Sequence, residues 1–256
     1  MQSRNKRSIL KLALPSKRRM YEESMRLMSD SGMAVERMHD RQYTATIPSV
    51  TEVEVIFQPH GVIPQIVQEG TADLGIVGLD QYLESKKEDS NGTSIIIKDL
   101  KRARCRLALG VPLAWIDVDS IYDIWEISIN FRQRGRILRI ATEWPRLTQP
   151  YLQTRGVRYF SIVQLPGGVE LAPVAGYADL VATIRERGTT LQANGLKPVQ
   201  GGTILKSQAC LIANGRTFSK HPQKLNLVNK ILSKLEAQLG EKTYGYEKLM
   251  KSLGTS

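Results

Sequence analysis

The sequence predicts an α/β chain folded as two lobes, joined by a pair of crossover strands and with a ligand cleft between them. Three observations carry this expectation. Short apolar strand-like runs alternate with short helical ones, the pattern of parallel-rich sheets. Two apolar runs, Arg106–Val111 and Ala209–Ile212, bracket a block with strand candidates of its own, so the chain leaves one lobe, builds a second and returns. With 256 residues, 41% of them hydrophobic, the chain can bury two cores without disulfide staples. The expected boundaries are 1–105 with 207–256 for the first domain and 106–206 for the second.

Taken in order, Ser8–Leu14 is short and apolar and ends at a Pro-Ser break, so it reads as a first strand. Met20, Met25, Leu27, Met28 and Met33 follow at roughly helical spacing, which puts Lys17-Arg18-Arg19 at a strand-to-helix turn, where ligands of open α/β sheets collect. Glu52–Phe57 alternates like a strand, Ile63–Glu69 reads as a helix closed by Gly70, and Ala72–Gly78 reads as a buried strand feeding a helix at Leu79-Asp80. Glu84–Ser94 is charged and reads as a surface loop. In the inserted block, Ile127–Ile129, Ile137–Ala141 and Tyr159–Val163 are the strand candidates. Ser219–Gly240 reads as one long helix with a stripe of Leu225, Val228, Leu232, Leu235 and Leu239, available either to its own lobe or to a partner subunit. No internal repeat is expected.

The 36 Lys and Arg outnumber the 25 Asp and Glu, a net charge of +11, concentrated at 17–19, 98–106 and 132–139. Such clusters favour polyanions, and composition alone leaves nucleic acid, acidic lipid, nucleotides and sugar phosphates open, beside a merely solvated surface. The apolar run Ile9–Leu14 carries Lys11 and stops at Pro15, too short and polar for a secretory segment. Nowhere does the chain approach the roughly 18 apolar residues of a membrane span. Cys105 and Cys210 sit in apolar runs as small hydrophobes, and a reducing, cytoplasmic location is expected. His39, His60 and His221 have no metal-ligand spacing, so no metal-ligating set is expected.

The densest candidate site runs Leu165-Pro-Gly-Gly-Val-Glu-Leu-Ala-Pro173, Gly176-Tyr-Ala-Asp179, Gly188-Thr-Thr-Leu191 and Asn194-Gly-Leu196. Gly188 with Thr189 and Thr190 offers unhindered amides and two hydroxyls, the donors a phosphate dianion needs, although a Gly-Thr-Thr is also an ordinary turn. The order and spacing resemble the ATP phosphoribosyltransferase family. The resemblance extends over Leu12–Lys17, Gly70–Asp80 with Glu84, Cys105–Leu107, Arg139–Glu143 with Pro145, and Ser207–Asn214, most of the chain in collinear order.

The resemblance implies a two-lobed, type II periplasmic-binding-protein-like fold. It also implies a reaction in which N1 of ATP attacks C1 of phosphoribosyl pyrophosphate and releases pyrophosphate with Mg²⁺ assistance, the first step of histidine biosynthesis. By that similarity Gly188, Thr189 and Thr190 cradle the 5′-phosphate, Lys17 and Arg19 meet phosphates, and Glu170 and Asp179 fall on acidic positions near the ribose. The bland alternatives are a loop cap for Glu170, a helix-terminal carboxylate for Asp179 and an exposed i, i+4 pair for Asp80 and Glu84. About forty residues follow Asn214, fewer than the roughly 50 of a further domain. The chain thus resembles the short form of the family, which works in a mixed octamer with a regulatory subunit related to histidyl-tRNA synthetase; a homo-oligomer is the other expectation.

Departures from the family pattern are equally specific. Thr183 stands where an aspartate is usual, Arg187 where a serine or threonine precedes the loop glycine, and Arg18 where Lys-Gly-Arg has its glycine. Val62 replaces the aspartate of Asp-Ile-Pro, and Ala103 a glycine. They define an alternative, a catalytically reduced homologue that binds nucleotide or assembles with an active subunit. A nucleic-acid-binding protein is a third reading, supported by net charge alone.

Overall fold

The structure, a computed structural model, describes residues 9–39, 42–86, 92–186 and 189–253. The chain forms two compact units, Met1–Ala103 with Gln208–Ser256, and Arg104–Ser207. It passes from one to the other at Ala103/Arg104 and back at Ser207/Gln208.

In the first unit the chain runs β1 (Leu10–Pro15), α1 (Arg18–Asp30), β2 (Thr44–Thr46), β3 (Val53–Gln58), α2 (Ile63–Gln68), β4 (Leu74–Gly78), α3 (Leu79–Ser85) and β5 (Thr93–Ile97). The second unit runs β6 (Cys105–Pro112), α4 (Ile121–Gln133), β7 (Leu138–Thr142), α5 (Pro145–Thr154), β8 (Phe160–Gln164), a 3-10 turn at Val169–Leu171, β9 (Leu180–Arg185), α6 (Thr189–Ala193) and β10 (Leu196–Ser207). The chain then returns with β11 (Ala209–Asn214), α7 (Gly215–Lys220), a 3-10 turn at Pro222–Lys224, α8 (Leu225–Leu239) and α9 (Gly245–Leu253).

The first sheet has the order β2-β3-β1-β4-β11-β5 and the second β10-β6-β9-β7-β8. Reading the second backwards exposes a common plan. A central strand (β1 or β7) is flanked by two parallel neighbours, after which come an antiparallel strand (β11 or β6) and another antiparallel to that. Helices cover both faces, so β4 reads as a continuous apolar run, Leu-Gly-Ile-Val-Gly, buried throughout. Two cores flank each sheet: in the first unit one contains Leu12, Met28, Phe57 and Leu232, the other Ala13, Ile63, Val67 and Ile212.

The common plan corrects the expectation that the chain has no repeat. Gly70-Thr-Ala-Asp73-Leu and Gly176-Tyr-Ala-Asp179-Leu share the pattern Gly-x-Ala-Asp-Leu and lead into β4 and β9. Both glycines have left-handed backbone, φ +79° and +75°, which their missing Cβ permits. In each unit the Asp amide donates to the carbonyl of the central strand's second residue, and that residue's amide donates back to the Asp carboxylate. The device ties together the starts of two parallel strands.

Three other expectations need correction. Ile127–Ile129 lies inside α4, not in a strand, because Ser120 and Asp123 form a capping box that starts a helix of 13 residues there. The single helix expected over Ser219–Gly240 is broken at His221, whose φ and ψ of −133° and 66° reflect the bar that Pro222 places on a helical predecessor. Thr93 and Ser94, assigned to a loop, begin β5, while 87–91 lies outside the described residues. Of the two uses left open for the stripe on α8, the structure shows the first: Val228, Leu232, Leu235 and Leu239 are buried in the core of its own unit, with Leu225 half-buried against it.

Candidate functional site

In parallel α/β sheets ligands gather at the carboxyl ends of the strands, where connections to the following helices open. In the second unit those ends are followed by the turn carrying Glu170 and by α6, which begins at Thr189 and Thr190. One core holds both segments. Val169, beside Glu170, and Leu191, beside Thr190, are buried in the same cluster with Val181 of β9. Glu170 is further fixed by Thr183, buried in β9, whose hydroxyl donates a 2.6 Å hydrogen bond to Oε1. Glu170, Thr183 and the backbone of Thr189 and Thr190 therefore belong to one local assembly. Arg187, Gly188 and the side chains of Thr189 and Thr190 lie outside the described residues.

Asp179 is not part of that assembly. It precedes β9, at the opposite end of the strand from Thr189, about 20 Å away for a six-residue strand at about 3.3 Å per residue. Its Oδ2 accepts from the Arg139 amide at 2.8 Å and Nε at 3.2 Å, and Oδ1 from Nη2 at 3.1 Å. Arg136 adds an ion pair at 3.6 Å. A carboxylate so occupied clasps β7 to β9.

In the first unit the carboxyl ends of β1, β3 and β4 gather Lys17, Arg18, Arg19, His60 and Asp80. Lys17 caps α1 with extended backbone and an exposed side chain, and Arg19 is half-exposed with an ion pair to Glu23 at 3.9 Å. Arg18, where the resemblance leads one to expect a glycine, has left-handed backbone at φ +61°. Ala103, the other such position, does as well at φ +53°. Both side chains stand on left-handed backbone, the conformation that glycine adopts most easily. Val62, at the N-cap of α2, supplies no side-chain hydrogen bond to the helix, where an aspartate would.

Asp80 is buried in the first turn of α3 with its carboxylate folded back over Gly78, which removes it from any exposed pair with Glu84. His60 was missed by sequence reasoning, which weighed it only as a metal ligand; its position between a strand end and a helix start was the available signal. Burial holds its pKa below the ordinary 6.5, opposed by the nearby Asp80 and reinforced by Arg18. Burial pushes the Cys210 thiol up to about 12, which leaves it a core hydrophobe. Among the described residues no three His, Cys, Asp or Glu side chains converge as metal ligands, and no helix is long and apolar enough to cross a membrane.

Residues 60–237 match the profile of the family described as HisG: ATP phosphoribosyltransferase. An ATP phosphoribosyltransferase of Mesorhizobium japonicum is 35% identical over 91% of this chain and 100% of its own length. The chain belongs to the ATP phosphoribosyltransferase family. Brucella anthropi has a family member 37% identical over 80% of this chain and 90% of its own length. Among solved structures, the ATP phosphoribosyl transferase (HisG:HisZ) complex from Thermotoga maritima matches with a TM-score of 0.65 and 26% identity, over 91% of this chain and 99% of that one. The alkanesulfonate-binding protein SsuA of Xanthomonas axonopodis, at 12% identity, matches with a TM-score of 0.52 over 97% of this chain and 78% of its own. That likeness places the ATP phosphoribosyltransferase chain in the two-lobed, type II periplasmic-binding-protein-like fold class.

Proposed function

We propose that this chain transfers the phosphoribosyl group of phosphoribosyl pyrophosphate to N1 of ATP, forming the C1–N1 bond as the C1–O bond to pyrophosphate breaks. The observation that supports the reading is Glu170, held by Thr183 in the assembly whose core includes Leu191, next to Thr190. The transition state spreads positive charge over the ribose ring and negative charge over the leaving group, so fixed charges and donors matter more than a strong base. Gly188, Thr189 and Thr190 bind the 5′-phosphate through amides and hydroxyls, Glu170 faces the cationic ribose, and Lys17 and Arg19 offer positive charge to the phosphates. Thr183 keeps a buried acceptor oxygen where family members carry a carboxylate, and Arg187 lends charge to the phosphate loop.

Mg²⁺, when bound, neutralises the polyphosphate of the substrates. The described residues fit a cation carried in by substrate oxygens and met by at most one or two carboxylates, the usual habit of Mg²⁺, with Glu170 the carboxylate in place. We also propose that the chain works in the cytoplasm, in a hetero-oligomer with a regulatory subunit related to histidyl-tRNA synthetase; the similarity to the HisG:HisZ complex of Thermotoga maritima supports that assembly.

Purified protein given ATP, phosphoribosyl pyrophosphate, Mg²⁺ and a pyrophosphatase should build up product absorbance, alone or with the regulatory subunit. Thr190→Ala should weaken phosphoribosyl pyrophosphate binding by about 1–3 kcal/mol, the cost of a buried acceptor left without its donor. Nucleotide binding without turnover in either condition would instead identify a catalytically reduced homologue.

A further inference from the structure

The strand register of the second unit sets three cations side by side. Lys206 of β10 pairs with Arg106 of β6, and Arg106 pairs with Arg185 of β9. Directly paired residues share a face of the sheet, and alternation puts Arg185 on the face of Thr183 and Val181, where α6 and the Glu170 turn pack. Adjacent strands are about 4.8 Å apart, so the row spans about 10 Å. Lys206 and Arg106 are exposed and Arg185 is half-buried. Among the described residues none of the three forms an ion pair. Glu170, the carboxylate on this face, lies one cross-strand pair further along, held by Thr183.

Like charges directly opposite one another destabilise a sheet, so a row of three with no ion-pair partner among the described residues is costly in the free protein. A chain of phosphates lying across the strands would remove that cost: its oxygens repeat along one line as the cations do, and guanidinium forks bind phosphate by paired, charge-assisted hydrogen bonds. We infer that Arg106, Arg185 and Lys206 form a binding row for a polyphosphate chain, a diphosphate or triphosphate. The inference rests on the phosphoribosyl-transfer reading only for the natural source of that chain, the triphosphate of the nucleotide or the pyrophosphate of the sugar donor.

The test is equilibrium binding of inorganic tripolyphosphate and pyrophosphate by calorimetry at low salt, which needs no turnover. Arg106→Gln, Arg185→Gln and Lys206→Gln should each weaken tripolyphosphate by about tenfold, the worth of one charge-assisted hydrogen bond. Arg158→Gln, an exposed change elsewhere in the same unit, should leave it unaltered. Binding of the three variants within twofold of the parent overturns the row. A second readout is the ligand-free melting temperature at low salt, which should rise when one of the three charges is removed and the opposition is relieved; a fall would show the row already neutralised from within the chain and overturn it too. Parallel titrations distinguish the sources. Selective weakening of ATP against AMP assigns the nucleotide triphosphate, and selective weakening of phosphoribosyl pyrophosphate against ribose 5-phosphate assigns the donor diphosphate. Tripolyphosphate binding that depends on the row in a protein without turnover would sink the enzymatic reading and leave the row standing.

Discussion

Asp73 and Asp179 hold the same backbone position in the two units and carry unlike consequences. Each exchanges hydrogen bonds with the second residue of its central strand: Lys11 N donates to Asp73 Oδ2 at 2.7 Å, and Arg139 N to Asp179 Oδ2 at 2.8 Å. The difference lies in the cation. Asp73 is buried and meets Lys224, itself 9% exposed and 151 residues on in sequence, through both carboxylate oxygens at 2.9 and 2.8 Å. Asp179, its own side chain 9% exposed, meets Arg139 and Arg136, whose side chains are 40% and 59% exposed and keep their water. A single motif thus produces a sealed ion pair that fastens the returning C-terminal segment to the first sheet, and a wet clasp within the second.

Removing one partner of a buried pair strands the other without water, which costs about 3–5 kcal/mol, whereas an exposed pair is worth about 0–1 kcal/mol. Lys224→Met should therefore lower the unfolding free energy, measured by urea denaturation, by about 3–5 kcal/mol, and Asp73→Asn in the same background should recover much of it. Asp179→Asn, which keeps an acceptor for the Arg139 amide and leaves the exposed guanidinium groups in water, should cost less, about 1–2 kcal/mol. Salt sharpens the contrast. Raising it to about 1 M shortens the screening length to about 3 Å, which should reduce the Asp179 effect and leave that of Lys224. Equal losses at the two sites would refute the distinction.

Local patterning made most strands and helices legible in the sequence. The alternation in Glu52–Phe57 became a strand whose buried and half-buried residues alternate, and the glycine after Leu239 became a left-handed helix terminus at φ +68°. Where the reading failed, a longer-range signal outweighed a short one. Three residues at Ile127–Ile129 look like a strand until Ser120 and Asp123 are read as a cap, and the Ser219–Gly240 stripe hides the break at Pro222. The phosphate-loop residues stand out by type and spacing, but Asp179 looks the same in sequence whether it holds a ribose or clasps a strand. Only its place at the far end of β9 tells the two apart. The Lys206–Arg106–Arg185 row depends on register between distant strands, which no linear pattern reports.

The units differ again at the turn after the central strand. In the second, Trp144 leads into α5 at φ −120° with Pro145 at the first helical position; in the first, Arg18 opens α1 at φ +61°. A side chain in the left-handed region costs about 1–2 kcal/mol, partly offset because glycine loses more freedom on folding. Arg18→Gly should thus stabilise the chain by about 0.5–1 kcal/mol in the same denaturation experiment, and a loss would mean that the Arg18 side chain contributes more than its backbone costs.

The smallest effect concerns protons, and it too divides the units, because His39, His60 and His221 all belong to the first. For His60 the sign follows from burial, which favours the neutral ring in the fold and holds its pKa below the 6.5 of the unfolded chain. Between those two values the unfolded chain binds more protons, so stability rises with pH across the window, is complete above 6.5, and is lost as pH falls through the folded value. In His60→Gln the slope of melting temperature against pH below 6.5 should shrink, while Asp80→Asn, which removes the charge that favours the protonated ring, should push the folded value lower and widen the window. Hydrogen exchange across the same pH range should place the change in protection at the ends of β1, β3 and β4 and leave the second unit's β9 unaffected. A response spread equally over both units would mean that His60 is not the group being titrated.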